Sequence, residues 1–147
     1  MGKGLLFFVI LTLVGCAHRS FRMENLNIPL IEIQKAVVKS LPLGQRAVSS
    51  NGREFFSEYF AFVEKKIRLA NHLKVRYYAH IYILGDRRPY SVEGLIRKEV
   101  RKKGAIGPEY SDKGIDNRLS KVLMRKIKKN LSKRREDHNV IDDFRVF

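Results

Sequence analysis

The chain has 147 residues and a mass of 17.1 kDa, enough for one domain and too little for two of full size. Apolar residues make up 44%, with nine Phe and six Tyr, which supports a packed core and argues against general disorder. Lys and Arg number 30 against 15 Asp and Glu, a formal net charge of +15, and the single Cys rules out an internal disulfide framework or a Cys-rich zinc site.

The first element is an apolar leader. Lys3 supplies one positive charge, an uncharged run from Leu5 to Gly15 follows, and Ala17-His18-Arg19-Ser20 restores polarity. A helix of about twelve residues covers about 18 Å, short of a hydrocarbon core of about 30 Å. That is the order of regions in a secretory signal peptide rather than a membrane span. The run ends in Leu13-Val14-Gly15-Cys16, which resembles the lipobox of bacterial lipoproteins: an aliphatic residue, a small or aliphatic one, Gly, Ala or Ser, then Cys. The resemblance covers residues 1–16 and finds the only Cys of the chain at the required place. It implies cleavage after Gly15 and diacylglycerol on the Cys16 thiol, so that Cys16 is an anchor and not a nucleophile. Two or three acyl chains, at about 0.8 kcal/mol per buried CH2, hold a protein stably on a membrane. Ala17 rather than Asp after the Cys implies the outer membrane, facing the periplasm. The competing reading is an ordinary signal peptide or a short buried helix with Cys16 as a passenger.

The expected organisation is therefore a signal peptide at 1–15, a lipidated tether at 16–26 and one α+β domain at 27–147. Within the domain, Leu30, Ile33, Val37 and Leu41 fall on one face of a helix from Pro29, with Pro42 and Gly44 ending it. Asn51-Gly52 between extended segments is a hairpin signal, because both residues tolerate positive φ. The strand after it, 53–62, carries aromatics on both faces. Residues 64–72 read as a loop or short turn. Residues 74–84 alternate cleanly: Val75, Tyr77, Ala79, Ile81 and Ile83 face one way, and Lys74, Arg76, Tyr78, His80 and Tyr82 the other. After a turn at 85–89 a strand returns over 90–100, and 101–114 reads as a basic loop.

The last element is an amphipathic helix over about 115–135, with Asp116 or Asp112 as cap. Ile115, Leu119, Val122, Leu123, Ile127 and Leu131 form its apolar stripe. Arg118, Lys121, Arg125, Lys126, Lys128, Lys129, Lys133, Arg134 and Arg135 occupy its other faces. The tail after it is acidic and apolar, with Val140, Ile141, Phe144 and Phe147 able to dock on the domain. The order of elements predicts an α+β fold: a small antiparallel sheet of about four strands with an N-terminal and a C-terminal helix packed on one face.

Catalytic constellations are missing. The four His (His18, His72, His80 and His138) show no metal-binding spacing, and there is no HExxH, nucleophile elbow or Walker A loop. Asp142-Asp143 is a carboxylate pair without a partner. No enzyme activity, no metal and no cofactor beyond the lipid on Cys16 are expected. The remaining signal is charge. From Arg118 to Arg135 there are nine Lys or Arg and no acidic residue. Self-repulsion on one helix costs stability, so the run reads either as a solvated back or as an anion-facing surface. The candidate surface is Arg118, Lys121, Arg125, Lys128, Lys129, Lys133 and Arg134. For an anchored domain the nearest anions are lipid headgroups and lipopolysaccharide phosphates, where each cation contributes about 1 kcal/mol. The expected function is an accessory or structural envelope lipoprotein that binds a partner protein or such an anionic component. In size and build it resembles small accessory lipoproteins of outer-membrane assembly machines, without a shared motif. Should the leader not be cleaved, a nucleic-acid-binding domain is the alternative, with Tyr78, His80 and Tyr82 as stacking residues.

Overall fold

The computed structural model describes residues 21–104 and 107–142; the leader with Cys16 and the last five residues lie outside the described residues, as do the side chains of Pro108 and of residues 134–142. The elements in chain order are β1 (Arg22–Leu26), α1 (Leu30–Ser40), β2 (Gln45–Val48), β3 (Glu54–Ser57), β4 (Phe60–Val63), β5 (Lys66–Leu69), β6 (Val75–Leu84), β7 (Tyr90–Lys103), β8 (Pro108–Ile115) and α2 (Asn117–Asp142).

The clean alternation of residues 75–84 makes β6, and with β7 it forms a long antiparallel hairpin in register from Val75↔Val100 to Leu84↔Ser91. This hairpin is the spine of the sheet. Each of its strands has two successive partners. The outer edge of β6 takes β3 at Tyr82, Ile81 and His80, then β4 at Tyr77. The outer edge of β7 takes β1 at Glu93 and Val92, then β8 from Arg97 to Lys103. β2 extends β3, and β5 extends β4.

Where one partner gives way to the next, the spine would be left with unpaired backbone groups, and a buried serine fills each gap. Ser57 Oγ accepts the Ala79 N–H at 2.8 Å, and Ser120 Oγ accepts the Ile96 N–H at 2.8 Å. Ala79 and Ile96 face each other in the register, so the two serines close the same level of the spine from its two sides. Asp116 N–H donates to Ile96 O at 2.8 Å, which ties the start of α2 to the same point.

The core lies between one face of the spine and the two helices. Ala79, Ile81 and Ile83 of β6 and Val92 and Ile96 of β7 pack with Ile33, Ala36 and Val37 of α1 and with Leu123, Ile127 and Leu131 of α2. Gly94 sits where α2 crosses β7: a Cβ there would lie 2.7 Å from Met124 Sδ, and the absent side chain is what lets the helix come so close. α1 and α2 are joined by Asn130 Nδ2, which donates to the buried Ser40 Oγ at 2.8 Å. The cap of α2 is Asp116, whose Oδ1 accepts the Leu119 N–H at 2.9 Å.

The expected α+β fold, a small antiparallel sheet of about four strands with an N-terminal and a C-terminal helix packed on one face, is incorrect. The described residues are mostly β, an eight-stranded antiparallel sheet with two helices. Four local causes explain the difference. Residues 22–26, expected within the tether, form β1, with Met23 and Leu26 against the core; a register shift with Asn25 at φ 57 breaks the alternation that would have revealed the strand. The strand expected over 53–62 breaks at Glu58-Tyr59, just after Ser57 turns into the gap. Residues 64–72 contain β5, reached through a turn with Glu64 and Lys65 at φ 51 and 63, neither a residue type that announces such a turn. The basic loop expected over 101–114 is instead the end of β7 and β8, whose exposed positions lack apolar alternation.

The last helix, expected over about 115–135, runs from Asn117 to Asp142. Its core stripe also differs. Val122 is 52% exposed, and Met124, at 8%, is buried in its stead. The docking expected of Val140, Ile141, Phe144 and Phe147 falls outside the described residues.

Candidate functional site

Two surfaces remain once the core is accounted for: the outer side of α2 and the sheet face turned away from the helices.

α2 buries Ser120, Leu123, Met124, Ile127 and Leu131. At 3.6 residues per turn, the positions opposite that stripe fall on an arc of about 160°. They are residues 118, 121, 122, 125, 126, 128, 129, 132 and 133, and all but Val122 and Ser132 are Lys or Arg. The sequence-predicted Arg118, Lys121, Arg125, Lys128, Lys129 and Lys133 are thus brought together, every one exposed, along about 22 Å of helix. The Arg134 side chain lies outside the described residues, as does Cys16. No ion pair engages any of these cations among the described residues, whereas Arg22, Lys35, Arg76 and Arg97 all have carboxylate partners. A helix back evolved only for solubility gains from i, i+4 pairs of opposite charge. This one has none between 118 and 133.

The other surface is a ladder of rings and guanidinium groups. Phe56 stacks on His80 at 4.1 Å between centroids, and His80 on Tyr82 at 4.0 Å. Arg46 lies 4.2 Å above Tyr59, and Arg76 lies 3.6 Å from Tyr59 and 3.4 Å from Tyr110. Arg76 Nε also donates to Glu99 Oε2 at 2.6 Å, and Arg97 pairs with Asp112 at 2.5 Å. Tyr110 closes the row by donating its hydroxyl to the Asn71 and Leu73 carbonyls at 3.1 and 3.0 Å. The alternation of β6 foretold Arg76, Tyr78, His80 and Tyr82 on one face. It did not foretell Tyr110 or Glu99, which come from strands whose pairing the sequence leaves open.

His80 is the one buried titratable group of this face among the described residues. Burial pushes its pKa down; the hydrogen bond and charge of Glu54 oppose this, and the Arg97 charge adds to it. Tyr82 Oη lies 3.0 Å from Nδ1, and Nε2 lies 3.4 Å from Glu54 Oε2. A neutral ring that accepts from Tyr82 and donates to Glu54 uses both nitrogens. Neither is then free to abstract a proton or ligate a metal. Burial also raises the pKa of Tyr78, opposed by Arg97, and that of Tyr82. Among the described residues no three His, Cys, Asp or Glu side chains group as a metal site, and His72 is exposed. His18, the His138 side chain and the Asp142-Asp143 carboxylates lie outside the described residues.

The chain matches no protein-family model, and neither the curated proteins nor the solved structures hold a match to it.

Proposed function

We propose that the protein is a bacterial envelope lipoprotein, anchored through an acylated Cys16, whose domain is a non-enzymatic module that binds anionic lipid headgroups or lipopolysaccharide phosphates through α2. The observation that carries this reading is the arc of exposed cations from Arg118 to Lys133, none of them ion-paired among the described residues. Opposing acidic groups would screen such an arc if it served only to solvate the helix. Beside an anionic surface it is attracted instead, within a Debye length of about 8 Å.

The path from the anchor supports the same arrangement. Five residues separate Cys16 from Arg22, so the anchor lies no more than about 22 Å from the start of β1. Met23, Leu26 and Ile28 share a shallow groove with Lys128 and Leu131 of α2, so β1, the first strand after the anchor, lies beside the basic helix. An acylated Cys16 would therefore hold α2 close to the bilayer, where its charges act.

The nucleic-acid alternative needs ring faces open to bases. On this sheet Phe56, His80 and Tyr82 stack on one another, and Arg46 and Arg76 flank Tyr59.

Mass spectrometry of the protein from its native membrane tests the anchor: the expected N-terminal peptide begins at Cys16 with a diacylglyceryl mass, and an unmodified Met1 terminus would overturn it. Substitution of Arg125, Lys128, Lys129 and Lys133 by Glu tests the surface. Binding to anionic liposomes should collapse, and undiminished binding would leave α2 a merely solvated helix.

A further inference from the structure

The hairpin of β4 and β5 stands beside the first half of α2 and presents apolar side chains there. In its register Phe60 opposes Leu69 and Phe62 opposes Ile67, so these four share a face. Phe60 is buried in the core. Phe62 and Ile67, further along the hairpin, are 46% and 43% exposed. With Leu119, Val122 and Leu123 of α2 they line an open groove of about 320 Å³. Arg118 and Lys126 stand at its edge, four residues to either side of Val122 and so one helical turn away. Neither has an ion-pair partner among the described residues. Lys65 and Lys66 at the hairpin turn are also exposed.

Single exposed apolar residues need no explanation, but three large ones converging on one groove do. The cations at its edge and its continuity with the basic arc of α2 say what it complements. An apolar floor flanked by cations is the arrangement of an interfacial membrane-binding surface. Resting on the headgroup reading above, we infer that this corner enters an anionic membrane: Phe62, Ile67 and Val122 pass into the acyl layer while Arg118 and Lys126 stay with the headgroup phosphates.

The chain contains no Trp, so one introduced indole reports its own surroundings without background. Phe62→Trp is made in the mature chain, residues 16–147, carrying Cys16→Ala, so that neither an acyl anchor nor the apolar leader holds the chain to a vesicle. The control is Val48→Trp, an exposed site on β2 at the other end of β6. With phosphatidylglycerol vesicles the Phe62→Trp emission should shift to shorter wavelength and be quenched by brominated acyl chains. It should stay unshifted with phosphatidylcholine, and Val48→Trp should stay unshifted with both. Phe62→Ser with Ile67→Ser should lower vesicle affinity roughly tenfold or more in high salt, where headgroup attraction is screened. Sedimentation with anionic vesicles without an emission shift would overturn insertion and leave the headgroup reading standing. Equal binding to both lipids, or none, would overturn both. A shift caused by monomeric laurate or by an acidic apolar peptide, without vesicles, would make the groove a site for a soluble ligand and overturn the membrane assignment.

Discussion

The two faces of the sheet are closed by opposite chemistry. Under α1 and α2 the spine shows Ala79, Ile81, Ile83, Val92 and Ile96, and burial of methyl and methylene groups against two helices does the work. On the other face no helix of the described residues covers the strands, and the side chains cover one another. Rings stack on rings, guanidinium groups lie on rings, and Glu99 and Asp112 neutralise the arginines. The difference teaches where binding capacity is left. The open face, rich in Tyr and Arg, looks the more functional of the two, yet its polar groups and π-faces are largely committed internally. Among the described residues, the longest run of cations without an ion pair lies on the back of the helix that closes the apolar core.

The comparison breaks most easily at the covered face. Ile127→Ala, at a fully buried position of α2, should cost about 3 kcal/mol in urea unfolding. A cost under about 1 kcal/mol would mean that α2 is not seated on β7 as described. At the open face Glu99→Ala should cost about 2 kcal/mol, since it strands Arg76, a charge that is mostly shielded from water. Because that pair is shielded, added salt should change the loss little; a loss abolished by salt would mark the ladder as an ordinary surface feature. Ser57→Ala and Ser120→Ala each leave one spine N–H without a partner and should cost about 1–2 kcal/mol. Equal costs from the two sides would sharpen the view that they close one level of the same hairpin.

Smaller still is a pH effect confined to the open face. Folded His80 holds its proton less tightly than the unfolded side chain, whose pKa is about 6.5. Its neutral form therefore contributes stability that is fully present above about pH 6.5 and is lost as pH falls through the folded value. His80→Phe should flatten the drop in urea midpoint between pH 7.5 and pH 5, and an unchanged slope would place its origin elsewhere. The smallest effect belongs to α2's outer arc. Replacing Lys128 and Lys129 by Gln should alter stability by less than about 0.5 kcal/mol while weakening binding to anionic vesicles. A large destabilisation would show that those side chains are structural.

How much of this was legible depended on period and on turn chemistry. β6 could be read outright, because ten residues alternate without interruption. The Asn51-Gly52 hairpin was equally plain, and the cap of α2 was narrowed to Asp112 or Asp116, of which the structure uses Asp116. β1, β5 and β8 were not. β1 is interrupted by a shift in register, β5 follows a turn made by Glu64 and Lys65, and β8 is mostly exposed and carries its own charges. For the basic surface, the run of cations was plain, and so was its helical spacing. The corner at Phe62, Ile67 and Val122 was hidden. Val122 fits the apolar stripe by spacing alone, and the close crossing of α2 over Gly94 buries Met124 in its stead.

The sequence by itself determined the two elements with unbroken periodicity, the amphipathic helix and the alternating strand, and with them the strong bias of charge onto one helix. Those follow from side-chain spacing along a single segment, which needs no knowledge of the rest of the chain. Tertiary structure alone decided how many strands join the spine, which serines close its gaps, and which apolar residues stay outside the core. Each of these depends on which distant segment arrives at a given edge, and backbone pairing recognises any residue but proline equally well.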